Sequence, residues 1–203
     1  MDSTGEICNE QQQVISKKYL VESILLIKTS CNKLLNTHPM KILLAVRHAK
    51  SDWGTPFEKD FDRPLNERGK SDAPRMAQRM AEKNCVPDLI ISSTANRALS
   101  TARLMAKEWN FPMDHFIQEP ELYHASPDTI LRCLKKHIQD THQRVMFVCH
   151  NPGITEFVNA FSNLRTDNVP TCGVSAIQWD SWNQMEKQSG QILFYDYPKN
   201  LHP

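Results

Sequence analysis

A three-layer α/β/α fold around a mostly parallel central sheet is the architecture this 203-residue sequence predicts. Two observations carry that expectation. Apolar runs of strand length, 42–46, 89–91 and 145–149, alternate with amphipathic stretches of helical period. Each run also ends abruptly in polar residues: Arg47-His48 after the first, Ser92-Ser93-Thr94 after the second, His150-Asn151 after the third. In open α/β sheets the carboxyl edge is where ligands bind. The length suits one domain with a real core, and 40% hydrophobic and 23% charged residues are ordinary for a globular protein.

Residues 1–39 differ in character from the rest of the chain. Glu10-Gln11-Gln12-Gln13 is polar, and 14–35 has a rough helical spacing through Leu20, Ile24, Ile27, Cys31, Leu34 and Leu35. Met40 stands directly before the first strong strand. The expectation is an N-terminal extension over 1–39, helical or not native, and a domain over 40–203. Two readings stay open: Met40 as the natural start, or a helix that packs on the domain.

From Met40 onward the elements alternate in order. Residues 42–46 read as the first strand. A helix runs from Glu67 or Ser71 to Lys83, with Met76, Ala77, Met80 and Ala81 on one face. Asn66 or Ser71 caps it, and Pro74 is easier to place if Ser71 does. A short strand at 89–91 leads to a helix over 95–109, with Leu99, Ala102, Leu104 and Met105 as core. Ser126-Pro127 starts the next helix, serine as cap and proline at the first helical position. It carries Ile130, Leu131, Leu134 and Ile138. Residues 145–149 form the third parallel strand, 154–161 a helix opened by Pro152-Gly153, and 174–180 with 191–197 a closing strand pair.

Composition removes several classes of function. A net charge of +1 provides no global field for nucleic acid or an anionic membrane. No apolar run reaches the length of a membrane span; the best, 19–27, is interrupted by Glu22. Lys17-Lys18 hints at a signal peptide, but no small-residue cleavage site comes after it, so the chain reads as not secreted. Six cysteines form no CxxC pair, and reduced thiols in a cytoplasmic protein are the expectation.

The chemistry lies in the strand ends. Arg47 and His48 follow the first strand, Arg97 sits on the first turn after the second, and His150 follows the third. The fold can converge all four. Two guanidinium forks match phosphoryl oxygens, and two imidazoles add donors or a nucleophile. The helix start after Pro152-Gly153 adds backbone N–H groups. Taken alone, a histidine after an apolar run is more often structural; beside Arg47-His48 and Arg97 the functional reading dominates.

Competing chemistries fail on the letters. A cysteine phosphatase needs Cys-x5-Arg, and Thr155 stands six residues after Cys149. Gly69-Lys70-Ser71 mimics the tail of a P-loop, but Pro64 occupies the first glycine position. Asp60-Phe61-Asp62 lies behind no apolar strand and reads as a polar loop. A metallohydrolase wants clustered histidines and carboxylates, whereas arginines dominate here and repel cations. No metal and no cofactor are expected.

The segments 44–51, 63–69 (Arg-Pro-Leu-Asn-Glu-Arg-Gly), 92–97 and 150–153 (His-Asn-Pro-Gly) resemble the histidine phosphatase superfamily, which has the phosphoglycerate-mutase-like fold. The SixA-type phosphohistidine phosphatases are the most similar branch. The resemblance covers about 40–198, with four separated motifs in the right order. It implies that His48 is the nucleophile and that Arg47, Arg97 and His150 hold the phosphoryl group. The family's usual Arg-His-Gly reads Arg-His-Ala here, a mild departure at Ala49 that narrows the permitted backbone angles. Many members carry an acidic proton donor where Glu121 stands, while SixA-type members manage without a dedicated strong one. Glu121 is therefore the candidate, with Asp52 behind it, against a plain reading as a solvated loop carboxylate.

His124, near Glu121, is placed at the pocket rim; His38, His115, His137, His142 and His202 read as surface or packing residues. Trp53, Phe57 and Phe61 read as core, with Trp53 as a substrate-facing wall in the minority reading. One helix nearly fills the stretch between Glu121 and His150, which leaves no room for a sizeable lid. The expected site is open and shallow, suited to a phosphorylated protein or a small phosphoester, and to hydrolysis rather than mutase chemistry. The resemblance favours phosphohistidine on a protein. A broad phosphomonoesterase and a non-catalytic phosphate- or phosphoprotein-binding module are the alternatives.

Overall fold

The computed structural model describes residues 40–52 and 59–200. The expected extension over 1–39 lies outside the described residues, as do Trp53 and Phe57. The elements run β1 (Lys41–Arg47), α1 (Glu67–Glu82), β2 (Leu89–Ser92), α2 (Asn96–Glu108), β3 (Phe116–Gln118), α3 (Pro127–His137), β4 (Arg144–Cys149), α4 (Gly153–Phe161), β5 (Val174–Trp179) and β6 (Gln191–Asp196). They form a six-stranded sheet in the order β3-β2-β4-β1-β5-β6. The first four strands are mutually parallel; β5 runs antiparallel to β1, and β6 antiparallel to β5.

The pleat sorts side chains to two faces. Leu43, Ala45, Ile91, Val145 and Phe147 meet Ile130 and Leu134 of α3 and Phe157, Val158 and Phe161 of α4. Leu44, Val46, Ile90, Met146 and Val148 meet Met76, Ala77 and Met80 of α1 and Ala98, Ala102 and Met105 of α2. Burial on both faces explains why the parallel strands read as unbroken apolar runs. It also makes three layers, as expected.

Of the two caps the sequence offers, Asn66 holds α1, its Oδ1 accepting from the Gly69 amide at 2.9 Å, so Pro74 lies well inside the helix. A mid-helix proline costs about 3 kcal/mol; the fully buried row Ala73, Met76, Ala77 and Met80 offsets it. The run at 145–149, expected as the third parallel strand, is the fourth among the described residues, because Phe116–Gln118 pairs in parallel with Ile90–Ser92 at the sheet edge. The Ser126 cap holds as expected, its Oγ accepting from the Thr129 amide.

Candidate active site

Strands β1 and β4 are direct neighbours, with Arg47 opposite Cys149. The next residues, His48 and His150, therefore emerge side by side, with ring centroids 5.0 Å apart. The Ser92-Ser93 end of β2 borders β4 on its other side. The chain turns sharply after β1: the Cys172 amide bonds the carbonyls of both Arg47 and His48, and the Ala49 amide donates to Thr101 Oγ1.

His48 is buried. Its Nδ1 lies 2.8 Å from the carbonyl of Ala49, so Nδ1 carries the proton and Nε2 keeps its lone pair. Arg97 donates through Nε to that Nε2 at 3.2 Å. Burial pushes the imidazole down to about 3. The cations of Arg97, Arg47 and Arg63 press the same way, and the Ala49 bond opposes them. His150 is pushed down to about 2 by burial and then by His48, Arg97 and His124. Its Nε2 lies 2.9 Å from Ser93 Oγ, while its buried Nδ1 has no hydrogen-bond partner among the described residues.

Arg47 donates through Nη1 to Asn168 Oδ1 at 3.1 Å and to the Val169 carbonyl at 2.7 Å. Its buried Nε has no partner among the described residues. Arg97, almost fully buried, is held by Asp60: Nη2 reaches Oδ2 at 2.9 Å and Nη1 the backbone carbonyl. Asp60 also takes Arg63 Nη1 at 2.8 Å and the Tyr123 hydroxyl at 2.8 Å, and His124 Nε2 lies 3.6 Å away. Burial resists the charge on Asp60, but the bonds from Tyr123, Arg63 and Arg97 outweigh it and hold the carboxyl well below the usual carboxylate range. The segment 60–62 is thus more than the polar loop expected from sequence: as a single 3-10 turn it brings a carboxylate to the arginine of the site. Phe61, expected as core, is partly exposed and meets the Tyr123 ring edge-on.

Among the described residues the ion-pair partner of Glu121 is Arg132 of α3, not an imidazole; the half-exposed carboxylate meets it at 2.5 Å. The neighbouring Glu119 points inward instead and takes His137 at 2.8 Å and Lys136 at 2.9 Å. Those partners hold its carboxyl down to about 2, His137 most strongly. His137, expected as a surface or packing residue, packs against the loop neighbouring α3 through this pair. Ligand atoms of Glu119, Glu121 and Cys133 lie within 4.8 Å of one another, but cationic side chains already take both carboxylates. Asp52 is exposed; its carbonyl accepts from Arg63 Nε at 3.0 Å.

His124 does reach the rim, its ring centroid 6.1 Å from that of His150, with a left-handed φ of 53°. Gly153 lets this loop come close: a Cβ there would meet the Ala125 carbonyl oxygen at 1.9 Å. The amide donors expected at the start of α4 are partly spent, since Ile154 N–H bonds the His150 carbonyl at 3.0 Å. Sequence reasoning misses Asp60, Tyr123, Arg63 and the bond of Ser93 to His150. Only Ser93 and Arg63 stand in the family-like segments, and nothing there marks them as partners of the site.

Known proteins are similar to this chain in sequence and in fold. The family model of the histidine phosphatase superfamily (branch 1) matches residues 43–123. A chloroplast protein of Arabidopsis thaliana is 28% identical over 159 residues, 73% of this chain and 72% of the relative. A 2,3-bisphosphoglycerate-dependent phosphoglycerate mutase of Bifidobacterium longum is 36% identical over 64 residues, 30% of this chain and only 26% of the mutase. Among solved structures, one described as SixA from Agrobacterium tumefaciens has a TM-score of 0.63 at 29% identity, covering 81% of this chain and 99% of that one. The protein histidine phosphatase SixA in complex with tungstate has a TM-score of 0.68, covering 79% and 99%; at 18% identity that match is one of fold. Residues 43–123 thus match the model of the histidine phosphatase superfamily, and the fold of the described domain is similar to that of the solved SixA structures.

Proposed function

We propose that this domain removes phosphate from phosphohistidine on a protein, with His48 as the nucleophile. The observation that carries the reading is the wiring of His48. Its Nδ1–H is fixed on the Ala49 carbonyl, and the Nε2 lone pair lies at Arg97 in a buried, neutral ring. A neutral imidazole is the form that can attack phosphorus.

In the first step Nε2 of His48 forms a bond to phosphorus as the P–N bond of the substrate breaks, and the departing imidazole nitrogen takes up a proton. In the second step water attacks phosphorus, the P–Nε2 bond breaks, and inorganic phosphate leaves. Arg97 and the Nε of Arg47 are donors for the non-bridging oxygens, where fixed dipoles stabilise the transferring group most. Ser93 Oγ accepts from the Ala95 amide at 3.4 Å, and in this reading its own proton goes to His150 Nε2. That leaves His150 Nδ1–H as a third donor.

Glu121 would have to leave Arg132 before it could act as an acid. A P–N bond needs less help from an acid than a P–O ester, so this pairing favours phosphohistidine over phosphomonoesters. Among the described residues no helix is long and apolar enough to cross a membrane. Free buried thiols at Cys85, Cys133, Cys149 and Cys172 support a cytoplasmic placement; the plant relative is a chloroplast protein, and fractionation distinguishes the two compartments. The test of function is turnover of a phosphohistidine protein beside a panel of small phosphoesters. Faster turnover of the phosphohistidine protein supports the reading, and faster turnover of the esters replaces it with a general phosphomonoesterase.

A further inference from the structure

Beside the site, and sharing Arg47 with it, lies a groove of 640 Å³. It is formed by the first turns of α1, the loop before β5 and the chain after β6. Among the described residues its lining includes five cations, Arg47, Lys50, Arg68, Arg75 and Lys199, against a single carboxylate, Asp72. Asp72 is buried and already shared, 2.6 Å from Arg75 and 3.6 Å from Arg68. One carboxylate cannot neutralise five cations, so the groove keeps a strong local positive potential on a chain whose net charge is only +1.

The arginines are not spent in packing. The side chains of Arg68 and Arg75 are about half exposed, and Lys199 is exposed. Arg47 is different: Asn168 and Val169 fix its guanidinium, so the groove and the phosphoryl site are joined through one rigid cation. A ligand with its phosphoryl group at His48 would meet this groove with whatever flanks that group.

We propose that the groove binds acidic side chains of the phosphorylated protein that the site dephosphorylates. The proposal rests on the phosphoprotein reading above and names a feature of its substrate: an acidic surface next to the phosphohistidine. Charge complementarity carries it, and such surface pairs act mainly on encounter and selectivity.

The test uses the full chain and a fluorescent, phosphate-free peptide rich in glutamate, followed by anisotropy at low salt. Saturable binding is expected, weakened about fivefold in Arg68→Gln/Lys199→Gln and retained in His48→Ala. Lys50→Gln/Lys199→Gln serves as a second variant should loss of Arg68 disturb α1. Absence of saturable binding, or equal binding by folded variants, would overturn the proposal. Tighter binding of an oligonucleotide of the same charge through the same residues would also overturn it. Because the peptide carries no phosphate, its binding is independent of turnover; a failed phosphohistidine assay refutes the function, and a failed peptide titration refutes the groove.

Discussion

His48 and His150 stand at the same point of two neighbouring parallel strands, 5.0 Å apart, yet their rings are wired in opposite senses. His48 ties its Nδ1 to the carbonyl of the next residue and turns Nε2 toward Arg97. His150 ties its Nε2 to Ser93 and leaves Nδ1 unbonded among the described residues. Both are buried and held neutral, to about 3 and about 2. The sequence pattern is the same, an apolar run ending in histidine, and the hydrogen bond on the far nitrogen separates the proposed roles. One ring presents a lone pair and the other an N–H.

Replacing each ring breaks the comparison most sharply. His48→Ala should lower kcat by at least about 1,000-fold, with no trapped phosphoenzyme. His150→Ala should lower kcat/KM by roughly 100-fold, the scale of losing one fixed donor, while slow phosphorylation of His48 persists. Equal losses with no phosphoenzyme in either variant would erase the distinction. Arg97→Lys should cost a similar roughly 100-fold, since a point charge replaces a fork that meets both His48 and Asp60.

A smaller effect separates the two anchors. Ser93→Ala removes the partner of His150 but touches nothing on His48. Steady-state assays should show kcat/KM falling about tenfold, and the site of phosphorylation should stay the same. Acid stability is sharpened by the same pair. Both folded pKa values lie below the unfolded value of about 6.5, so the unfolded chain binds more protons once the pH falls below that value. Stability is complete above about pH 7 and declines by roughly 1.4 kcal/mol per pH unit for each histidine as the pH falls toward the folded pKa values. Asp60 and Glu119, whose folded pKa values are lowered, add their losses as the pH falls through their unfolded values, beginning about one unit above 4.5. Denaturant titrations above about pH 5.5 should therefore show a slope that His150→Asn roughly halves; an unchanged slope would mean that the ring is not held neutral. Least affected is Glu121→Gln, which should alter phosphohistidine turnover by less than about threefold, as expected of an exposed ion pair. A loss comparable to that of His150→Ala would restore Glu121 as the acid.

The legible parts of the molecule are those governed by period. Val145–Cys149 and Leu43–Val46 are buried on both faces, so composition alone marks them, and the abrupt switch to Arg47-His48 and His150 marks the sheet edge. Phe116–Gln118 has three residues, too few for any period, and is a strand only because β2 offers its edge. Pro74 argues for a later helix start because local propensity does not include the tertiary burial of Met76 and Met80. Glu121 can be assigned to its loop from sequence, but its direction depends on Arg132, a helix away. Asp60 reads as solvated because no local pattern reveals that two buried arginines, 3 and 37 residues on, converge on its carboxylate.

If His48 attacks through Nε2 because Nδ1 is held by the Ala49 carbonyl, the phosphoenzyme must carry its phosphate on that one atom. Acid-labile, base-stable labelling of the trapped enzyme, with peptide mapping and phosphorus NMR, locates it. Phosphate is expected on Nε2 of His48 in the wild type, on the same atom in His150→Ala, and nowhere in His48→Ala. Phosphate on His150, on Nδ1 of His48, or undiminished in His48→Ala would contradict the proposed role of His48.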